Sequence, residues 1–207
     1  MVIQLYKLIL TTICLSLPII AIAIPSVAVV DAVQARAAFQ REGRQQPLAK
    51  GVELYTGDII TTGAKARVVI RLPDMSLVRI GAYAQVKFEQ LSSVSKSAIL
   101  TAVFNVLKGV FRFTGSHHNP LDVKIRVGNS ISAGIRGTDV YTHAQADKDI
   151  VCLIAGQVSV QAGEVEAMLT QPREGFIVPK GGQPLPISLI SEEKFQKWLK
   201  NSEISEP

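Results

Sequence analysis

Alternating apolar and polar residues on either side of a glycine-containing turn constrain the fold more than any other feature of this sequence. Residues 123–127 alternate apolar and charged side chains, the period expected of a strand with one buried face. Residues 150–154 are apolar at every position and predict a strand that is buried on both faces. Gly134 and Gly137 lie between these segments and allow the chain to reverse sharply.

Three polar side chains, Arg136, Thr138 and Asp139, are concentrated in this turn. They have two interpretations. In the first, they form a recognition surface. In the second, they stabilise the turn: the Asp139 carboxylate accepts backbone N–H bonds and pairs with Arg136, because Asp and Thr commonly bond to backbone groups at turns. The sequence leaves both interpretations open.

Short apolar segments separated by turns recur along most of the 207 residues, a length sufficient for one domain with a hydrophobic core. Residues 66–72 and 76–80 predict a hairpin. Residues 99–113 are densely apolar, with a spacing that would also suit a helix, but Gly109 favours strands there. We therefore predict an all-β domain of many short strands, built as a β-sandwich, a barrel or a short β-solenoid.

The N-terminal segment differs from this β pattern. Residues 8–24 are apolar or hydroxylic, and residues 21–23 form an A-x-A cleavage site, which predicts a secretory signal peptide at residues 1–23. The uncharged span is also long enough to cross a bilayer, so an uncleaved membrane anchor is the alternative. Loss of the leader removes Cys14. Cys152 then has no intramolecular partner, and its apolar strand predicts a buried core residue.

The C-terminal segment is predicted to contain an amphipathic helix. Ser191 is a suitable N-cap, and Phe195, Trp198 and Leu199 form a narrow apolar face. This face either docks on the domain or binds a groove of a partner. The predicted organisation is a leader at 1–23, an all-β domain at 24–187, and a helix and tail at 188–207.

Two separated motifs resemble the FecR-type domain family. The first comprises Leu48 to Gly51, LYTGDIITTG at residues 54–63 and LPDMS at residues 72–76, similar to the family's L..G..L..GD.I.TG…LPDGS pattern. The second comprises GIRGTDV at residues 134–140 and a following strand that ends in AGQVSV. The similarity covers about residues 29–160. Met75 stands where the family usually has Gly, and Met tolerates a positive φ poorly, so we expect a looser turn or one of another type.

The resemblance implies an all-β domain that engages another envelope protein, in a family that includes the periplasmic portion of regulators of iron-siderophore signalling. Only six residues precede Lys7, so we expect no cytoplasmic anti-sigma segment in this chain. Arg136, Phe195 and Trp198 are the candidate partner contacts. The family-motif residues, which we expect to be structural, are Gly57, Asp58, Gly63, Asp74, Gly134, Arg136, Gly137, Thr138, Asp139 and Gly156.

No catalytic or cofactor chemistry is indicated by the sequence. The three histidines lack a triad context, and no P-loop, G-x-S-x-G or H-E-x-x-H motif is present, so we expect neither an enzyme nor a cofactor. Asp58 lacks further ligands at metal-binding spacing, and so do His117 and His118, which are adjacent to each other. No metal site is therefore expected. Asp147 and Asp149 are expected to be ordinary residues of a hairpin turn.

Composition narrows the partner class. The net charge of +5 arises from scattered residues rather than from a basic stripe, which argues against a nucleic-acid partner. Two classes remain: a protein-interaction module in envelope signalling or assembly, and a module that binds a glycan such as peptidoglycan. Tyr55, Tyr83 and Tyr141 would favour the glycan if they lined one face. Because aromatic residues are few, we favour a protein partner in the periplasm or outside the cell, with no membrane span after cleavage.

Overall fold

The computed structural model describes residues 28–93, 100–116 and 121–204, and the leader, His117 and His118 lie outside these ranges. The prediction of one all-β domain with a C-terminal helix is confirmed. The strands are β1 (Ala28–Gln34), β2 (Ala37–Arg41), β3 (Arg44–Pro47), β4 (Glu53–Leu54), β5 (Ile59–Thr62), β6 (Arg67–Arg71), β7 (Leu77–Ile80), β8 (Gln85–Ser93), β9 (Leu100–Thr114), β10 (Leu121–Val127), β11 (Ile131–Ile135), β12 (Asp139–Ala144), β13 (Lys148–Ala155), β14 (Val158–Ala162), β15 (Val165–Leu169), β16 (Glu174–Pro179) and β17 (Ser188–Leu189), and the helix is α1 (Glu192–Ser202).

The strands form two sheets that share β9. Sheet A has the order β4-β1-β6-β7-β9-β12-β13-β16-β17. Sheet B has the order β3-β2-β5-β8-β9-β10-β11-β14-β15. All of these pairings are antiparallel except β9–β10. The first part of β9, up to Lys108, lies in sheet B, and the part from Gly109 onward lies in sheet A.

One hydrophobic core lies between the two sheets and contains residues from both. The alternation predicted for residues 123–127 is confirmed, since Val123, Ile125 and Val127 are buried while the intervening basic residues are exposed. The hairpin at residues 66–80 is also confirmed as β6 and β7. The largest aromatic contribution is a group of packed rings at Phe88, Phe104, Phe111 and Phe113.

A second apolar cluster lies on the outer face of sheet A, beneath α1. Phe195 and Trp198 of the helix pack there against Val110, Tyr141 and Cys152. The Trp198 and Tyr141 rings are stacked, with centroids 5.0 Å apart and planes 3° apart. The helical face therefore docks on the domain, and Cys152 is a buried core residue as predicted. No helix in the described part of the chain is both long and apolar enough to span a membrane.

Two local expectations are wrong. Residues 145–149 do not form a turn throughout, because β13 begins at Lys148 and Asp149 is fully buried. Met75 adopts a φ of 71° in the turn between β6 and β7, so the chain keeps the left-handed backbone that Gly would favour. Backbone bonds from Met75 N to Leu72 O (3.0 Å) and from Leu72 N to Ser76 O (2.9 Å) close the turn and hold Met75 in this conformation, with its side chain exposed.

Gly109 is required where β9 passes between the sheets. Its φ is +84°, and a Cβ atom there would lie 2.5 Å from the Ala84 Cα atom. A side chain would meet both a backbone penalty and a clash with neighbouring backbone.

We predict that Gly109→Ala destabilises the protein by about 2–4 kcal/mol, measured by urea denaturation, because left-handed strain adds to steric overlap. Gly181→Ala is the matched control: Gly181 has a φ of +71°, but a Cβ added there would meet no atom within 4 Å. It should cost only about 1–2 kcal/mol. Equal losses in the two variants would contradict the steric argument.

Candidate functional site

The GIRGTDV turn lies between β11 and β12 and packs against the turn between β13 and β14. Thr138 is buried, and its Oγ1 donates to the carbonyl of Gln157 in the neighbouring turn. Gly137 and Gly156 both have positive φ, and a Cβ on Gly156 would lie 3.0 Å from the Gly137 carbonyl oxygen. A Cβ on Gly134 would lie 2.6 Å from Ser159 Oγ. The motif therefore holds two turns in contact.

Asp139 is the residue of this motif that forms an ion pair, and its partner is Arg112 on β9. Arg112 donates from Nε to Oδ1 of Asp139 (2.9 Å) and from Nη2 to Oδ2 (2.8 Å). It also donates from Nη1 to Glu203 just after α1 (3.1 Å). The expected pairing of Asp139 with Arg136 is wrong, because the short bidentate fork of Arg112 already occupies both carboxylate oxygens.

Burial and neighbouring charges shift the pKa values of Arg112 and Arg79 in opposite directions. Burial opposes the charged guanidinium, but its bonds to Asp139 and Glu203 outweigh burial and raise the pKa of Arg112. Arg79 lies beside Arg112 and has its pKa lowered by burial and by that neighbouring charge. Arg79 is held by a bond from Nη1 to Thr114 Oγ1 (2.9 Å). The cluster thus ties together β7, β9, the GIRGTDV turn and the end of α1.

Asp58, in the other family motif, is also a structural residue. It is buried and accepts from Arg41 Nε (2.8 Å), Arg41 Nη2 (2.7 Å) and the Tyr55 backbone N–H (2.9 Å). The bond to Asp58 raises the pKa of Arg41, whose guanidinium lies 4.5 Å from the Tyr55 ring centroid. Gly57, which precedes Asp58, has a φ of 94°. Gly63 lies beside Arg36, and the Gly63 N–H donates to the Arg36 carbonyl oxygen (3.0 Å).

Asp74 completes the set of buried motif carboxylates. Its Oδ1 accepts the Ser76 N–H (3.1 Å), and its Oδ2 accepts the Ser76 hydroxyl. Ser76 Oγ in turn accepts the Ser116 N–H (2.9 Å), which connects the β6–β7 turn to the end of β9. Each motif carboxylate therefore accepts a bond from a protein donor at both of its oxygens, as expected for turn-stabilising residues.

Arg136 is the exposed charged residue of the GIRGTDV motif. It makes no ion pair with any residue that the structure describes, and it lies one residue beyond the row in which Ile135, Val158 and Leu169 are paired across β11, β14 and β15. Its position is thus at the corner of sheet B where β15 ends. Of the three candidate partner contacts, Arg136 is accessible, whereas Phe195 and Trp198 are buried beneath α1.

β15 is the edge strand at this end of sheet B, and within the described ranges it pairs only with β14. Val165 and Met168 of β15 are 42% and 53% exposed. A shallow groove of about 440 Å³ runs beside β15 and is lined by Lys124, Ser132, Gly134, Ser159, Glu166 and Met168. The surface formed by β15 and Arg136 is called the β15 edge below.

Several polar contacts could not be found from sequence motifs. Arg112 and Arg41 lie in strands far from the motifs they stabilise, although an Arg between Phe111 and Phe113 is a signal of a paired buried charge. Asp149 is fully buried and accepts from Lys180 Nζ at 2.6 Å to both carboxylate oxygens and from the Ser130 hydroxyl. Gly128 leaves the space that this carboxylate fills.

The remaining candidates for binding chemistry are dispersed. Tyr55 lies under Arg41, Tyr141 is buried by Trp198, and Tyr83 is exposed, so these rings do not form a row along one face. Burial lowers the pKa of His143, so its imidazole is neutral at pH 7. Within residues 28–93, 100–116 and 121–204, no group of three His, Cys, Asp or Glu side chains is placed to hold a metal ion.

The FecR protein family profile matches residues 58–166, just over half of the chain. The matched segment contains the GIRGTDV turn, Arg112 and the first residues of β15. This chain belongs to the FecR family. The resemblance of the two sequence motifs to that family is confirmed. No curated protein sequence matches the chain.

Solved structures similar to this FecR-family chain include two of a candidate anti-sigma factor from Parabacteroides distasonis. One is 19% identical, with a TM-score of 0.55, over 68% of this chain and 64% of the other. The second is 20% identical, with a TM-score of 0.52, over 68% of this chain and 63% of the other. The chain thus spans less than two thirds of each of these structures, and at this identity the similarity concerns the fold.

Replacing Asp139 with Asn is predicted to destabilise the protein by about 3 kcal/mol, because it leaves the charge of Arg112 partly unpaired in a buried site. Chemical denaturation measures the change. Arg136→Ala, a matched change in the same motif, should alter stability by less than about 0.5 kcal/mol because Arg136 is exposed. Similar losses for Arg136→Ala and Asp139→Asn would support an Arg136–Asp139 pair, and no loss for Asp139→Asn would contradict the Arg112–Asp139 pair.

Trp198→Ala is predicted to expose Cys152. Burial raises the pKa of this thiol to about 12, so the folded protein should react slowly with an alkylating reagent at pH 8. Loss of the stacked ring should raise the alkylation rate by at least about ten-fold, because the contacts that hold α1 on sheet A are weakened. Mass spectrometry of the peptide containing Cys152 measures the rate, and Lys197→Ala, on the exposed side of α1, is the control.

Proposed function

We propose that this chain is a non-enzymatic interaction module of the bacterial envelope, periplasmic or secreted, that binds another envelope protein in signalling or assembly. Membership of the FecR family supports a signalling-related role through protein contacts. The similar structures are named as a candidate anti-sigma factor, which agrees with a regulatory role. The leader predicted at residues 1–23 supports export, with the domain at residues 24–187 and the helix and tail at residues 188–207 forming the exported protein.

The β15 edge is the structural feature that best supports this proposal. Natural edge strands are usually protected by shortness, by Pro, Lys or other charges, or by bulges. Among the described strands, three of the four sheet edges fit this rule: β4 and β17 have two residues each, and β3 contains Arg44 and Pro47. β15 has five residues, of which Glu166 alone is charged, contains no Pro and pairs in regular register with β14. It is therefore the edge best suited to receive another strand.

The proposed partner is an extended segment of another envelope protein that pairs with β15. Main-chain hydrogen bonds supply affinity in this mode, and alternate side chains supply specificity. Val165 and Met168 would contact apolar side chains of the added strand, and Glu166 favours a basic residue opposite it. Arg136 at the corner would contact an acidic residue near the end of that strand. The buried Phe195 and Trp198 could contribute only after α1 leaves sheet A.

The alternative is a module that binds a cell-wall glycan. A β-sheet face that binds a glycan usually carries several stacking aromatics, and Tyr55, Tyr83 and Tyr141 do not provide such a face on sheet A or sheet B. For the main role we therefore favour a protein partner over a glycan.

We predict that Met168→Lys abolishes partner capture, because a charge on the edge strand opposes pairing with another strand. A photo-crosslinking residue placed at Arg136 in cells should give a discrete protein adduct, and Met168→Lys in the same chain should remove it. Leu107→Lys is the matched control, since Leu107 is 42% exposed on β9, a strand paired on both sides.

The adduct should persist in the Leu107→Lys chain. Equal loss of the adduct in both variants, with unchanged folding, would attribute the effect to general surface charge. Adducts with wall fragments alone would replace the proposed protein partner with a glycan.

A further inference from the structure

A basic groove lies where β9 passes from sheet B to sheet A, on a surface that the proposed protein interaction does not use. It encloses about 570 Å³. Its floor is Gly109 and Val110, one wall is formed by the turns before β6 and before β8, and the other by the β12–β13 hairpin. We call it the bend groove, and its principal side chains are Lys65, Arg67, Tyr83, Lys108, His143 and Gln145.

Charge is the first property that points to a ligand. Lys65, Arg67 and Lys108 contribute three cations, and no Asp or Glu is among the described residues that line the groove. Arg67 donates to the carbonyl oxygens of Asn201 (3.1 Å) and Lys65 (3.4 Å), which orient the guanidinium without neutralising it. Asp147, the acidic residue next to the hairpin wall, is paired with Lys148 at 2.9 Å. The bend groove therefore has a positive field that an anion would satisfy.

Tyr83 is the second property. Its side chain is 62% exposed, which is unusual for a large aromatic ring in this chain. Its backbone is held in the left-handed region, with a φ of 54°, and its N–H donates to the Gly63 carbonyl (3.2 Å). Lys65, two residues after Gly63, also lies in the left-handed region, with a φ of 56°. Non-glycine residues with positive φ are costly and concentrate at functional sites, and here two of them line one groove.

Neutral hydrogen-bonding groups complete the lining. The His143 imidazole is kept neutral at pH 7 because burial lowers its pKa, and its Nδ1 lies 3.0 Å from Gln145 Nε2. A bond from the amide N–H₂ to Nδ1 leaves the proton on Nε2. The other lining side chains are small, including Ala82, Ala144 and Ala146, so no large aliphatic group is available to anchor an apolar ligand.

We propose that the bend groove binds a carboxylated saccharide. The exposed Tyr83 ring provides a face on which the C–H groups of a sugar ring pack, Lys65, Arg67 and Lys108 bind its carboxylates, and the amide and imidazole groups bind hydroxyls. Two sources have this chemistry: an acidic polysaccharide made of uronate units, and a peptidoglycan fragment with lactyl and peptide carboxylates.

Binding is tested by isothermal titration of the protein as cells export it, with three saccharides. An oligouronide and a soluble disaccharide-peptide fragment of peptidoglycan are the anionic probes, and a neutral chitotetraose is the control. We expect one or both anionic probes to bind, with affinity that falls as salt is added, and the neutral probe not to bind. The probe that binds more tightly identifies the source.

The variants are chosen to preserve the backbone. Tyr83→Asn and Lys65→Asn keep a residue that tolerates positive φ. Tyr83→Asn should weaken binding roughly five-fold through loss of stacking. Lys65→Asn and Lys108→Gln should each weaken it roughly two- to five-fold, as for exposed charge pairs. Lys50→Gln, an exposed lysine before β4 and outside the groove, is the matched control and should leave affinity unchanged.

Three outcomes would overturn the proposal. The first is no binding of either anionic saccharide at millimolar concentration. The second is binding that Tyr83→Asn and the lysine variants leave unchanged. The third is equally tight binding of a short oligoglutamate through the same residues, which would make the groove a site for acidic peptides instead. Because Met168→Lys acts on the β15 edge and should not change saccharide affinity, failure here is distinguishable from failure of the proposed protein interaction.

Discussion

The sharing of β9 between two sheets is the constraint on which the other features of this fold depend. A strand of fifteen residues is long enough to pair with β8 and β10 in sheet B and then with β7 and β12 in sheet A. The change of sheet falls at Gly109, where Ala84 leaves no room for a side chain. Because both sheets are connected through this strand, one continuous core forms between them, and the bend creates the groove on the outer surface.

Arg112 connects that central strand to the family motif. It lies between Phe111 and Phe113, whose rings point into the core, so its own side chain lies on the opposite face of sheet A. On that face it is bound by Asp139 from the GIRGTDV turn and by Glu203 after α1. The motif Asp therefore orders more than its own turn: it fixes a guanidinium that also holds the end of the helix covering Tyr141 and Cys152.

The sequence predicts the strands better than it predicts the side-chain contacts between them. Period-two alternation identifies the inward faces of β6 and β10, because each pattern is local. It could not identify Arg112 as the partner of Asp139, since these residues are 27 positions apart, nor Arg41 as the partner of Asp58, 17 positions away. Asp149 looked like a turn residue because an Asp near a hairpin usually is one; its burial depends on Lys180, Ser130 and the space left by Gly128. At Met75 the residue type predicts the wrong backbone conformation, because backbone bonds within the turn maintain a positive φ that Met disfavours.

The two outer faces of the sandwich differ in what remains open for binding. On sheet A, α1 covers Tyr141, Ile150 and Cys152, so this apolar cluster outside the main core is already used within the chain. On sheet B, the strands present small and polar side chains, and the main apolar exposure lies at the β15 edge. The bend groove, by contrast, is basic and lies where the sheets meet. A strand that adds to β15 would use backbone pairing, whereas a ligand in the groove would use charge and one aromatic ring. Because these interactions draw on different groups, one chain can support both without competition for the same residues.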